Sequence, residues 1–380
     1  LKEMGIRNVL IDEAHAGYSP EDGSEFMTFM NELKPKKVIG FTATPCRLKT
    51  MSIGQVSYSQ LNFITRMRPV YFKNLIHVIQ VEEMIRQGFW TPLKYETWDF
   101  NGDALKLNSN GSEYTAESIS EAVRKNGLNN LILRRLMVLK DVCRSILVFM
   151  DSVESCNTAA EWMNAKICAG MAEVVHGGTP KKQREAIVEG FKSGKTKVVF
   201  NYSALGTGFD HPGLDCVIVG RPTFSFSSFY QWLGRAVRIK DGKDSALVVD
   251  CCNNSSRFGD IRKLSIENYK GYGWGMFIGD KLITNIPMGD KVTKTDLDIK
   301  AAKKDRRRGL AQGVTAAPVP GRPDHPLGST VMTFGKYCGW MFHSIPVSYF
   351  KFINETFDWD NDRNKDIKEY IDFLIKNNRL

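Results

Sequence analysis

The sequence has no Cys-x-x-Cys pair, no apolar run long enough to span a bilayer, and no charged stretch followed by an apolar one at its start. Each absence removes a class. Eight cysteines stand at 46, 143, 156, 168, 216, 251, 252 and 338, and without close pairs they suit neither a zinc framework nor a disulfide scaffold. Adjacent Cys251 and Cys252 would point to opposite faces of a strand and rarely share one metal. Reduced thiols in a cytoplasmic protein are the expectation, with no membrane segment and no leader. The first residue is Leu rather than Met, and the chain is expected to be truncated at its N-terminus.

What is present is a long, basic chain. Its 380 residues suit two domains and an appendage. Lys and Arg number 52 against 42 Asp and Glu, a formal charge of +10 that favours an anionic partner such as nucleic acid over an acidic one. From residue 9 to about 90 the pattern is strand, loop, helix, strand: Asn8 to Ile11, Glu25 to Leu33, and then "KKVIGFTATP", which ends in a polar turn at Thr42 to Pro45. Residues 92 to 117 look irregular. A second alternating unit follows, with a helix through Leu131 to Val142 and the strand "SILVFMD". A helix from about Val153 to Ala165 and the strand "AEVVHG" come next. The helix "TPKKQREAIVEGFKSG" has Thr179 as N-cap and Pro180 in its first turn. The strands "KVVFN", "CVIVG" and "ALVVD" complete the set, with a helix around 227 to 238 between the last two. This is the alternation of an α/β fold with doubly wound parallel sheets. The expected division is 1–91, 92–285, a basic and Pro/Gly-rich linker over 286–330, and a compact aromatic segment at 331–380 with a closing helix from Asp366.

Several elements carry chemistry. Asp12 and Glu13 follow a strand's carboxyl end, where open parallel sheets bind ligands. One acid there can hold Mg²⁺ through water while the next orients an attacking water on a terminal phosphate. "QWLGRAVR" spaces Gln231, Gly234, Arg235 and Arg238 so that the polar groups share one side of a helix. Two arginines on such a face can clamp a phosphate. In "NYSALGTGFDHPGLD", Gly206 and Gly208 permit close backbone approach and Asp210 supplies a carboxylate.

Taken in order, DEAH, "GFTATPCR", "VVFNYSALGTGFDHP" and "QWLGRAVR" resemble a superfamily II helicase. "SILVFMDSVESC" and "VVHGGTPKKQREAIVEGF" are similar to second-lobe elements of that family, and the resemblance covers about residues 5 to 262. Asn201 followed by "GTGFDHP", with "VVDCCNNSSRFG", looks most like its RadD-like bacterial and phage branch. The family's cysteine pairs after the arginine helix are absent here, a departure from that branch. The resemblance implies two RecA-like lobes, the first incomplete, with ATP and Mg²⁺ between them. It implies that Asp12 binds Mg²⁺, Glu13 positions the water, and His15 couples the nucleotide site to Gln231. Thr42 and Thr44 would link hydrolysis to lobe movement, and Gly208 and Asp210 would line the cleft. Arg235 and Arg238 would reach the γ-phosphate, Arg238 as the arginine finger. His176, Gly177 and the turn Asn201, Tyr202, Ser203 would face the nucleic-acid backbone.

The phosphate-binding loop of such a motor precedes its acid box. "GFKSGKT" ends in the right triplet, but Gly190 to Gly194 leaves three intervening residues where four are needed. It also runs from helix into strand, whereas a cradle needs N–H groups converging at a helix N-terminus. It is expected instead to be a C-capping turn with Gly194 left-handed, and the cradle to lie before Leu1.

"YKGYGWGMFIG" interleaves Tyr272 and Trp274 with glycines, either for base stacking or simply as a hairpin. "MTFGKYCGWMFHSIPVSYFKFI" resembles small FGKY-type appendage domains, in which Lys336 and Tyr337 are candidate nucleic-acid contacts. "KKDRRRG" at 303 to 309 is a basic run. The expectation is an ATP-dependent DNA helicase or translocase of repair, recombination or phage replication, in a bacterial cell or a phage-infected host, with DNA favoured over RNA. The fragment alone is expected to be inactive. The motor subunit of a restriction complex and a non-catalytic nucleic-acid-binding remnant stay open as alternatives.

Overall fold

A computed structural model describes residues 5, 7–17, 24–53, 56–67, 70–109, 111–205, 209–302, 326–330, 332, 341–356 and 365–378. The chain divides into two compact units, Leu1–Lys294 and Thr295–Leu380.

The centre of the first unit is a parallel sheet of six strands. In chain order these are β5 (Leu93–Thr97), β6 (Ile146–Phe149), β7 (Ala172–His176), β8 (Val198–Tyr202), β9 (Cys216–Val219) and β10 (Ala246–Asp250), arranged β5-β10-β9-β6-β8-β7. "ILVF" and "CVIV" are apolar without a break because both faces of a parallel sheet are covered by crossover helices. All four residues of each are buried. The period of two then splits them between two cores. Ile146 and Val148 pack with Ile132, Leu136 and Leu139 of α5 (Leu128–Val142) and with Ala159 and Met163 of α6 (Val153–Lys166). Leu147 and Phe149 face Ile187 and Phe191 of α7 (Lys181–Lys192) and Phe229 and Leu233 of α8 (Phe226–Gly234). Each such side chain contributes about 1.5–3 kcal/mol by leaving water. Ser152 and Ser225 start α6 and α8, their hydroxyls accepting from Ser155 N and Ser228 N.

Ahead of this sheet lies a smaller structure. β1 (Asn8–Ile11) and β2 (Lys37–Gly40) pair in parallel, joined through α1 (Ala14–Gly17) and α2 (Glu25–Leu33). Their own core is small, Ala14, Ile64 and Met67 with Ile11, Phe26, Tyr71 and Phe72 packed against it. β3 (Cys46–Ile53) and β4 (Val56–Phe63) form an antiparallel hairpin immediately after the TATP turn. Cys46, Leu61 and Phe63 of that hairpin are buried in the large sheet's core rather than the small one. Backbone bonds from Asn285 N to Leu61 O and Met288 N to Ser59 O hold it there.

A four-stranded antiparallel sheet closes the first unit: β11 (Leu264–Tyr269), β12 (Gly273–Ile278), β13 (Lys281–Leu282) and β14 (Val292–Thr293). In the second unit the helices Val347–Thr356 and Lys365–Lys376 enclose Phe342, Phe350, Ile353, Tyr370 and Leu374.

Four local expectations are corrected. Residues 92 to 117 are not irregular throughout, because β5 pairs along β10 at the sheet's edge. Thr179 does not cap α7; its hydroxyl accepts His176 N, and Pro180 takes the cap position. Cys251 and Cys252 lie just past β10 in a turn, both buried. The expected linker contains β14 and is helical from 294 to 302. The turn after α7 is as expected, with Gly194 at φ +80°. The run at 303–309, His325, Lys336 and Tyr337 lie outside the described residues.

Candidate functional site

The acid box is shaped by two backbone bonds. Phe41 N donates to Ile11 O at 2.8 Å and Ala14 N to Phe41 O at 2.9 Å, which folds the chain beyond β1 against the start of the TATP turn. The approach is close: a Cβ on Gly40 would sit 2.6 Å from Ala14 Cβ, so only glycine fits. Asp12 is exposed, and its Oδ1 accepts Glu13 N at 2.8 Å. Glu13 itself has φ +46°, a left-handed backbone that costs a non-glycine residue energy and marks a constrained position.

His15 is buried at the base of the box. Its Nδ1 lies 2.7 Å from Thr42 Oγ1 and 3.3 Å from Glu13 Oε2. Burial lowers its pKa, Glu13 opposing and Arg47 adding to the shift, so the ring is neutral at neutral pH. The carboxylate at Nδ1 accepts only, which places the single proton on Nδ1. Thr42 Oγ1 in turn accepts Thr44 N at 3.1 Å. Acid box and TATP turn are thus joined directly through His15 and Thr42. Gln231, expected to be coupled to His15, lines the cavity at the carboxyl ends of β6, β8 and β9.

The arginine helix is shorter than its spacing suggests. α8 stops at Gly234; Arg235 is its C-cap and Arg238 lies beyond it in irregular chain. The last bonds tighten to Arg235 N to Trp232 O and Ala236 N to Leu233 O, and the carbonyls that would continue the helix are taken by other partners. Arg235 Nη1 donates to Phe209 O at 2.7 Å. Its pKa is lowered by burial and by Arg238, against which Glu13 and Asp210 act. Glu13 and Arg235 therefore share one electrostatic neighbourhood. Arg238 Nε lies 3.3 Å from Asp210 Oδ1, an exposed pair that contributes little and parts readily. Gly208 lies outside the described residues.

A second locus sits at the carboxyl ends of β6, β8 and β9, a cavity of about 300 Å³ lined in part by Asn201, Ser203, Arg221, Ser228, Gln231 and Trp232. Asn201 is 1% exposed. Its Oδ1 accepts Ala204 N and Leu205 N, while its Nδ2 has no partner among the described residues. Ser203 has φ +53°. The Arg221 guanidinium lies 5.7 Å from the Tyr202 ring centre and 5.9 Å from that of Trp232. Its loop is strapped by Glu113, whose carboxylate accepts Thr223 Oγ1 and Phe224 N. Amides, hydroxyls and a guanidinium, beside the Glu113 carboxylate whose oxygens are engaged by Thr223 and Phe224, make a donor-rich cavity suited to an acceptor-rich group. Arg221 and Glu113 were not singled out from sequence; the position of Arg221 just after a strand's carboxyl end was the available signal.

His176 and Gly177 end β7. His176 Nδ1 accepts Gly178 N at 3.1 Å, leaving Nε2 to carry the proton. Among the described residues, a Cβ at Gly177 would meet nothing within 4 Å. The 269–279 segment is a hairpin. Tyr272 is engaged within it, with Arg66 4.1 Å above its ring and its hydroxyl donating to Thr284 O.

Residues 128–240, which hold both the arginines and the donor-rich cavity, match the helicase conserved C-terminal domain. Over these residues the chain is similar to a helicase C-terminal domain. Over 255 residues it is 25% identical to the putative ATP-dependent helicase IRC3 of Saccharomyces cerevisiae, covering 66% of this chain and 34% of that protein. It is 26% identical over 213 residues to a 51.5 kDa protein of a Lactococcus phage, covering 56% of this chain and 42% of the phage protein. The chain thus spans less than half the length of either relative. Among solved structures, the fragment of a putative HsdR subunit of a type I restriction enzyme from Vibrio vulnificus matches 67% of this chain and 55% of its own, at 17% identity and TM-score 0.48. Among the described residues no group of three or more His, Cys, Asp or Glu could hold a metal, and no helix is long and apolar enough to cross a membrane.

Proposed function

We propose that this chain supplies the acid box, the second nucleotide-binding lobe and the strand-tracking surface of an ATP-dependent DNA helicase or translocase. The reading is carried by two pieces of geometry. His15 Nδ1, 2.7 Å from Thr42 Oγ1, joins the acid box to the TATP turn. Arg235 and Arg238 are both bonded to the Phe209–Asp210 loop, with Glu13 opposing the lowering of the Arg235 pKa. Asp12 suits Mg²⁺, which keeps most of its waters and takes only one or two carboxylates alongside substrate phosphates. Bound there, the ion would supply positive charge to the terminal phosphates of ATP. Glu13, at the same turn, would position the attacking water. Arg235 and Arg238 would meet the charge that develops on the transferred phosphoryl group, Arg238 leaving Asp210 to do so. His15 and Thr42 would pass a change at the acids to the TATP turn. From there the hairpin β3–β4, whose side chains are buried in the large sheet's core, would carry it into the second lobe.

The donor-rich cavity, with Asn201, Ser203 and Arg221, would take a phosphodiester of the tracked strand, and the net charge of +10 would strengthen backbone binding. DNA is the proposed track. In the intact protein, Glu13→Gln should lower DNA-stimulated phosphate release about 10²–10⁴-fold while DNA affinity stays within a few fold. Arg221→Gln should do the reverse, weakening DNA binding and flattening its salt dependence. Equal loss of both properties in both variants would contradict the separation of the two loci.

A further inference from the structure

Because α8 ends at Gly234, the helix does not hold Arg238; something else must. Every backbone carbonyl from 236 to 238 is taken by a residue outside the segment. Thr91 N donates to Val237 O and Thr91 Oγ1 to Arg238 O, both at 2.8 Å. Lys243 does the rest, its Nζ lying 2.7 Å from Ala236 O, 2.8 Å from Arg238 O and 3.2 Å from Pro212 O. An ammonium has three N–H donors on one tetrahedral atom, and here three carbonyls converge on it. Two of them belong to the arginine segment. The third belongs to the loop that carries Asp210, the ion-pair partner of Arg238, and Phe209, whose carbonyl receives Arg235.

We propose that Lys243 is a positioning residue for ATP hydrolysis: its ammonium pins the Arg235–Arg238 segment to the Phe209–Pro212 loop and so sets where both guanidinium groups point. The proposal rests on the reading of Arg235 and Arg238 as phosphate contacts. A guanidinium does not replace it, because a planar fork spreads its donors instead of converging them. Burial lowers the pKa of Lys243 to about 8, with Asp215 facing it as the opposing carboxylate and Lys240 as a like charge. Above that pH the group is an amine with two donors, and one carbonyl is released.

The test is steady-state ATP turnover in the intact protein, with kcat and KM for ATP measured from pH 6.5 to 9.5 for wild type, Lys243→Met, Lys243→Arg and Arg238→Ala, alongside thermal melts. Displacement of catalytic groups by about an ångström costs on the order of 10²-fold, so Lys243→Met should lose kcat on that scale with KM little changed. The fall in wild-type kcat above pH 8 should be absent from both lysine variants. Lys243→Arg, which keeps the charge should methionine impair folding, should also lose most of its turnover. Wild-type kcat in Lys243→Arg, or a fall above pH 8 that persists in it, would overturn the clamp. Normal turnover in Arg238→Ala would instead refute the assignment of the arginine and leave the result on Lys243 to be read by itself. Loss in Arg238→Ala with normal turnover in a folded Lys243→Met would refute the clamp alone.

Discussion

The two parallel sheets of the first unit differ in how much of themselves they bury. β6 is enclosed completely, with Ile146, Leu147 and Val148 at 0% exposure and Phe149 at 2%. In the β1–β2 pair Leu10 is 68% exposed and Phe41, just after β2, 54%. Yet the acids lie on the second and the arginines on the first. Among the described residues, the two halves of the candidate site are held by different contacts. The arginine side rests on a packed core and a backbone clamp. The acid side is held by a small core around Ala14, Ile64 and Met67, by a few polar contacts, His15 to Thr42 and the two bonds that join Phe41 to Ile11 and Ala14, and by the close packing at Gly40.

The comparison can be sharpened by substitution. In the 380-residue chain, Leu147→Ala should destabilise the large sheet by about 2–5 kcal/mol, whereas Leu10→Ala, at an exposed position, should fall within about 0.5 kcal/mol. Urea unfolding of the two variants would show it, and equal costs would break the contrast. Protonation supplies a second probe. His211 is 5% exposed, its Nε2 bonded to Ser145 Oγ, and burial with nearby Lys240, Lys192 and Lys243 lowers its pKa from 6.5 to about 4 against the pull of Asp215. Between those values the unfolded chain binds the proton and the folded one does not. Its contribution is therefore complete above pH 6.5 and lost as pH falls toward 4, on the order of 3 kcal/mol. His211→Gln should flatten that part of the stability–pH curve of the large sheet; an unchanged curve would rule His211 out as its source.

Smaller effects belong to the acid side. Gly40→Ala forces a Cβ to 2.6 Å from Ala14 and 3.0 Å from the Phe72 ring, and overpacking of this kind costs about 1–3 kcal/mol. Melting should drop, and phosphate release in the intact protein should drop further as the turn bearing Asp12 and Glu13 moves. Smallest of all is Asp210→Asn, which removes an exposed ion pair and should change stability by less than about 0.5 kcal/mol.

These contrasts also mark what was legible in the sequence. The buried strands were readable because unbroken runs such as "ILVF" and "CVIV" have no other comfortable place, and the turn at Gly194 because it ran from helix into strand. The acid box could be placed at a strand's carboxyl end for the same reason. β5 was missed because "LKYET" mixes charge into an edge strand. The end of α8 was misplaced because spacing reports only the helix's own periodicity. The carbonyls just beyond its end bond to Thr91 and Lys243, the first 147 positions from Arg238 in sequence. The contact of His15 with Thr42 was out of reach for a related reason. A motif names residues that act together, but the bond from His15 to Thr42 follows from how β1 and β2 lie side by side.

The account's central claim is that an acid on the exposed sheet and an arginine on the buried one serve a single site. A double-mutant cycle on Glu13→Gln and Arg235→Lys, read as DNA-stimulated phosphate release by the intact protein, tests it most directly. The account predicts strong non-additivity, the double variant losing little more than the worse single one. Losses that simply multiply, with both proteins folded and DNA-bound, would contradict it.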